Sequence, residues 1–246
     1  MGKTENGFTI IEVMLFLAVT GMLAATILVG SGVAIGQQRY RDSVNSLKSL
    51  IQEQYSQTTN VTNDRSTTWT CDSSTNVAET PIGAGQPRGT SDCVLLGRLI
   101  VIDDSGTKVT TSNVVGYRTS EVPTAVSDVL ELQTNYVLGV SPIDQDTSEV
   151  AWGAQVVKPK TTTPMPVSVL IVRSPLSGSV FTFTVDGVKT NPNELITSAN
   201  LTQTKDLCVN ADVGSFVGRR LDVRISPFAS GAGAIQIPPE STSVCD

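Results

Sequence analysis

The chain has 246 residues, of which 39% are hydrophobic and 16% charged, enough for one or two folded domains with a sizeable core. Seventeen basic against 23 acidic side chains give a net charge of -6, so long-range attraction to nucleic acid or anionic lipid is not expected and a general DNA-binding surface is disfavoured. Histidine is absent, and with it the commonest general base, metal ligand and physiological-pH switch, so most familiar catalytic constellations are excluded.

Hydrophobicity is concentrated at the start of the chain. Between residues 8 and 36 the only charged side chain is Glu12. A membrane-spanning helix needs roughly 20 apolar residues and a secretory signal an apolar region of about 7–15, so the run is expected to stay in the working protein. Leu23-Ala24-Ala25 imitates a small-residue cleavage site, but the run continues past it through Ile27 and Leu28. Lys3 and Glu5 before the run, with Arg39 and Arg41 after it, give no clear positive-inside orientation. Glu12 is the anomaly: a carboxylate inside an apolar helix costs at least about 2.5 kcal/mol on insertion and marks either a partner or a position at the membrane edge.

The residues around Glu12 carry a resemblance. Gly7-Phe8-Thr9-Ile10-Ile11-Glu12-Val13, after a short polar leader with Lys3, closely resembles the processing and assembly motif of type IV prepilins and pseudopilins. The resemblance implies a leader of residues 1–7, cleavage between Gly7 and Phe8 by a prepilin peptidase, and N-methylation of the new terminus at Phe8. It implies further that Glu12 meets the Phe8 amine of a neighbouring subunit in the filament, a pairing strengthened by a low-dielectric surrounding. The partners it implies are copies of the chain and other pilins, an inner-membrane assembly platform with a separate ATPase, and the membrane before assembly. General nucleic-acid binding is not expected.

Beyond the apolar run, Tyr40, Val44, Leu47 and Ile51 follow at spacings of four, three and four, with Leu50 and Tyr55 widening the stripe and Arg39, Arg41, Asp42, Asn45, Lys48, Gln52 and Glu53 on the other faces. This predicts an amphipathic continuation of one helix to about residue 58, roughly 75 Å in all at 1.5 Å per residue, packed by its stripe on a globular head. The apolar half lacks the proline of many pilins, and the glycines at 30, 32 and 36 mark where the helix is expected to loosen on leaving the bilayer.

From 59 to 92 no periodicity persists, which predicts a long surface loop. Strands are expected at 94–102, 114–119, 150–157, 167–173, 179–185, 221–225 and 234–237, assembling into an antiparallel sheet. Asp103-Asp104-Ser105-Gly106 and Asp186-Gly187 read as turns between them. Prolines at 159, 164 and 166 suggest a linker or edge crossover, with either two lobes divided near 158–166 or one interconnected head.

All four cysteines, Cys71, Cys93, Cys208 and Cys245, lie beyond the helix, and their even number in a Ser/Thr-rich region suggests two disulfides made in an oxidising compartment. Of three pairings, proximity along the chain favours Cys71–Cys93 and Cys208–Cys245. The last two also resemble the disulfide-bounded C-terminal region of many pilins. No CxxC spacing points to zinc, and the acidic run from Asp144 to Glu149 lacks the spacing of a calcium loop and reads as a solvated turn. No cofactor or metal ligand is assigned.

The expected fold is therefore α+β: a leader (1–7), an N-terminal helix (8–58, with 8–36 transmembrane or filament core) and an extracellular β-rich head (59–246). The expected function is a structural, non-enzymatic subunit of a type IV pilus, serving attachment or twitching motility, held in the inner membrane before assembly and extracellular after it. The alternatives are a minor pilin or tip adhesin, a type II secretion pseudopilin and, more remotely, a membrane-anchored enzyme.

Overall fold

The computed structural model describes residues 9–61, 68–81, 84–87, 89–120, 127–211 and 219–245. The first element, α1 (Ile10–Thr59), runs unbroken through 50 residues. Thr9 caps it, its hydroxyl accepting from the Glu12 amide at 3.3 Å, and at the far end the Asn60 amide donates to the Ser56 carbonyl. The expected apolar stripe is buried: Tyr40, Val44, Leu47, Ile51 and Tyr55 all lie in the core. Ser43, Gln54 and Thr58 are buried beside them. The Ser43 and Thr58 hydroxyls each donate to a carbonyl of the preceding turn, so their burial leaves no donor unsatisfied.

The remaining elements in chain order are β1 (Trp69–Cys71), β2 (Val77–Glu79), β3 (Cys93–Ile102), β4 (Lys108–Arg118), α2 (Asp128–Thr134), β5 (Tyr136–Val140), β6 (Asp146–Glu149), β7 (Gln155–Val157), β8 (Val167–Arg173), β9 (Val180–Asp186), α3 (Ser198–Thr202), β10 (Lys205–Asn210), β11 (Asp222–Ile225) and β12 (Ile235–Gln236). A six-stranded antiparallel sheet has the order β5-β4-β3-β8-β9, with β6 paired to β4 beside β5, and a four-stranded sheet has the order β12-β11-β10-β7. The tight turn joining β3 to β4 is built on Asp103, whose carboxylate accepts from the Ser105 hydroxyl and the amides of Thr107 and Lys108. Gly106 there sits at φ +69, and a Cβ on it would come within 2.3 Å of the Val156 carbonyl oxygen, so no other residue fits.

Alternation along β8 explains the layering. Val167, Val169 and Ile171 join Ile100, Ile102 and the α1 stripe on one face, in a core that also takes Val156, Leu207, Val209, Val223, Ile225 and Ile235 from the four-stranded sheet. Leu170 and Val172 point the other way, into a second core with Leu99, Val114 and Phe183 that is closed by Leu132 of α2, Leu195, Ile196 and Leu201 of α3. The second half of α1 thus packs on both sheets through one continuous core. Residues 158–166 carry the chain from β7 in the four-stranded sheet to β8 in the six-stranded one, and β10 returns it.

Several expectations need correction. The loop expected over 59–92 contains the β1–β2 hairpin, closed by Asp72, whose carboxylate accepts from the amides of Ser74 and Asn76. Those bonds, the Asn76 amide first, hold the Asp72 carboxyl below the usual carboxylate range. The strand expected at 114–119 begins earlier, at Lys108, because the polar stretch from Thr110 to Asn113 still pairs with β3. Of 150–157 only β7 is strand, since Ala151–Gly153 forms a 3-10 turn with Trp152 at φ +59. The acidic turn expected at Asp144–Glu149 is largely β6, an edge strand. Asp186-Gly187 closes no hairpin: the chain leaves the sheet there, the Gly187 amide donates to the Pro166 carbonyl, and the next strand lies in the other sheet.

Candidate functional site

The first half of α1 turns an apolar surface outward along its whole length. Ile10 is 78% exposed and Phe16 66%, and Met14, Leu17, Met22, Leu23, Ile27 and Leu28 are exposed with them. By length and composition this helix is apolar enough to cross a membrane. Its few hydroxyls are satisfied internally: Thr20 donates to the Phe16 carbonyl at 2.8 Å, Thr26 to Leu23 at 2.8 Å and Ser31 to Ile27 at 2.6 Å. Helical geometry alone therefore meets the requirement that polar groups in hydrocarbon find partners within their own segment.

Glu12 lies in the first turn, where its charge complements the helix dipole. It shares a concave strip of about 540 Å³ with Val13, Leu15, Phe16 and Val19, residues that recur at the three- and four-residue spacing of one helix face. Its carboxylate is exposed among apolar side chains. Gly7 and Phe8, to which cleavage, methylation and the amine partner of Glu12 were assigned, lie outside the described residues.

Two disulfides hold the head. Cys71 joins Cys93 across 22 residues with the Cα atoms 6.0 Å apart, tying the β1–β2 hairpin to the start of β3. Cys208 joins Cys245 across 37 residues at 5.5 Å, pinning the end of the chain to β10, where both sulfurs pack with Val157 out of solvent. Both pairings are those favoured by proximity in the sequence.

Sequence reasoning passed over Arg98, although a lone cation in the apolar run of β3 was a visible signal. It is 7% exposed and spends its donors on neutral oxygens: Nε to Gln54 Oε1 at 2.9 Å, Nη1 to Asn113 Oδ1 at 2.6 Å and Nη2 to Thr111 Oγ1 at 3.4 Å. Burial pushes its pKa down, and the nearby charges of Asp144, Glu53 and Asp146 oppose that shift. Arg98, Asn113, Asp144, Asp146, Gln57 and Asn60 line a polar cleft of about 390 Å³ beside the end of α1. A second charged cluster sits on the four-stranded sheet, where Arg224 lies between Asp206 and Asp222. Asp222 is wholly buried, and that burial raises its pKa.

Among the described residues, no group of three or more Cys, Asp or Glu side chains converges to hold a metal ion. The charged clusters serve as ties between elements: Arg98 joins α1 to β3 and β4, and Arg224 joins β10 to β11. The chain matches no known protein family, no curated protein and no solved structure.

Proposed function

We propose that this chain is a subunit of an extracytoplasmic type IV pilus or a closely related filament, held in the membrane by the first half of α1 before assembly and packed through that half afterwards. The observation that carries the reading is the division of α1 within one unbroken helix. Its second half is built into a disulfide-braced head, while its first half presents an apolar surface with a single carboxylate and no covering element among the described residues. An apolar face of that extent requires lipid or other helices around it. The Gly7–Val13 motif supports helices of like subunits as the final surrounding, with Glu12 as the charge that sets their register and a role that is structural rather than enzymatic.

Intact-mass measurement of filaments sheared from the cell surface tests this reading. The expected result is a filament protein whose mass begins at Phe8, with one added methyl group and two disulfides. Recovery of the chain only from membranes or culture fluid, with Met1 to Gly7 still attached, would overturn it.

A further inference from the structure

The same helix brings a ring of cations and an exposed indole to the foot of the head. Arg39 and Arg41 follow the last apolar residues of the run, rising about 4–8 Å above Gly36 at 1.5 Å per residue. That height matches the headgroup layer, about 5–8 Å on each side of a 30 Å hydrocarbon core. Tyr40, between Arg39 and Arg41, ties the start of β11 to this part of the helix: its hydroxyl donates to the Val209 carbonyl at 2.9 Å and accepts from the Leu221 amide at 2.5 Å. Two further arginines, Arg219 and Arg220, immediately precede Leu221; Arg219 is exposed, whereas the Arg220 guanidinium donates to the Thr161 carbonyl. Acidic side chains stand by this rim as well: Asp42 follows Arg41 on α1, the buried Asp222 follows Leu221, and Glu240 pairs with Arg41 at 3.9 Å.

Trp152 completes the rim. It stands at φ +59 in the turn Ala151–Gly153, a strained conformation for so bulky a residue, and remains 57% exposed. The Arg39 guanidinium lies 5.1 Å from the centre of its ring, which fixes the indole at the height of the basic residues. An indole beside arginines, one helical turn above an apolar span, has the chemistry of an interfacial anchor: the ring suits the headgroup level and the guanidinium groups suit lipid phosphate.

We infer that the foot of the head, through Trp152, Arg39 and Arg219, docks on the phosphate surface of an anionic bilayer and holds the unassembled subunit upright on its membrane helix. The net charge of -6 does not oppose this, because screening at about 8 Å confines the interaction to the rim. The inference rests on the membrane reading of α1 given above. In the assembled filament the same groups are released from lipid, so docking favours the waiting state over the extracted one.

The full chain has two tryptophans, Trp69 in the hairpin and Trp152 at the rim, so Trp69→Phe and Trp152→Phe variants report each site separately. Each is reconstituted in phosphatidylcholine vesicles with or without phosphatidylglycerol, carrying a nitroxide on the headgroup. Flotation with the vesicles confirms that α1 is inserted. Trp152 fluorescence is expected to be quenched and Trp69 fluorescence not, and Arg219→Gln should weaken docking about fivefold in anionic vesicles. Unquenched Trp152 in protein that floats with the vesicles would overturn the docking and leave the membrane reading intact. Quenching indifferent to phosphatidylglycerol and to Arg219 would overturn the phosphate contact, and emission that changes only with protein density would assign the rim to a second copy. Protein that fails to float removes the ground for both readings.

Discussion

The two halves of α1 share one backbone helix and differ in what their side chains meet. From Ile10 to Ile35 large apolar residues occupy nearly every face, and none of the most apolar 18-residue window is buried within the chain. From Tyr40 to Thr59 the apolar residues narrow to a stripe, and that stripe is the centre of the larger core. Apolar content therefore does not decide burial inside a chain; patterning does. A helix that is hydrophobic all round has no polar face to give to water and must find its surroundings elsewhere, whereas an amphipathic one is completed by its own sheet.

The sharpest way to break this comparison is at Glu12, the one charge in the half that the chain does not cover. Replacing Glu12 with alanine removes a charge from the apolar run and eases insertion, so membrane-fraction protein and leader cleavage should be unchanged. Filament yield, by contrast, should be abolished when no wild-type protein is present, because an unpaired buried amine costs about 3–5 kcal/mol at every subunit contact. Comparing sheared surface filaments from wild type, Glu12→Ala and Glu12→Gln separates the need for charge from the need for shape. Normal filaments from the processed alanine variant would sink the proposed contact.

Removing the disulfides should affect only the other half. Closing loops of 22 and 37 residues is worth about 3–4 kcal/mol each by loop entropy. Full-length protein in detergent, reduced or with all four cysteines replaced by serine, should therefore unfold its head at much lower denaturant. Amide exchange should then rise across the stripe from Tyr40 to Tyr55 while the apolar half stays protected. Equal loss of protection in both halves would show that they fold as one unit.

A smaller and more local version uses alanine at matched positions. Ile51 is 1% exposed between the two sheets, and Ile51→Ala should cost about 2–5 kcal/mol of head stability through lost burial and a residual cavity. Leu17, exposed on the first half, should cost less than about 0.5 kcal/mol when changed in the same way. Chemical denaturation followed by tryptophan emission measures both, and similar values would erase the distinction.

How much of this was legible in the sequence follows the same physics. The stripe from Tyr40 to Tyr55 could be read because it buries residues at the helical period of 3.6, and β8 because its β-branched apolar run is buried on both faces of the sheet. The other elements owe their state to neighbours. β10 begins Lys205-Asp206, a poor strand signal, yet Lys205 is buried against Asp186 and Asp206 binds Arg224. β6, acidic and exposed, exists because β4 offers it an edge. The helices α2 and α3 are too short to show a period and are fixed by the caps Ser127 and Thr197 and by Leu132 and Leu201 against the sheet. Of the candidate site, Glu12 and the four cysteines were legible as chemical exceptions to their surroundings. The rim at Trp152 was not, because its parts lie more than a hundred residues from Arg39 and only the packing of the turn against α1 brings them together.

The smallest effect comes from Tyr55, at the end of the buried stripe. Its hydroxyl shares a hydrogen bond of 2.7 Å with Thr182 on β9, and Tyr55→Phe should lose about 1 kcal/mol at neutral pH, the net value of one such bond. Burial pushes the Tyr55 phenol up to about 12, against a smaller opposing pull from the Thr182 hydrogen bond. An ordinary tyrosine in the unfolded chain ionises near 10. The stability tied to the protonated phenol is therefore fully present below pH 10 and is lost as the pH rises from 10 towards 12, because the unfolded chain releases the proton first. Two units amount to about 2–3 kcal/mol over that window. Phenylalanine at this position has no proton to release, so this part of the alkaline slope should flatten in Tyr55→Phe, and a slope identical to wild type between pH 10 and 12 would show that Tyr55 does not couple the helix stripe to the sheet in this way.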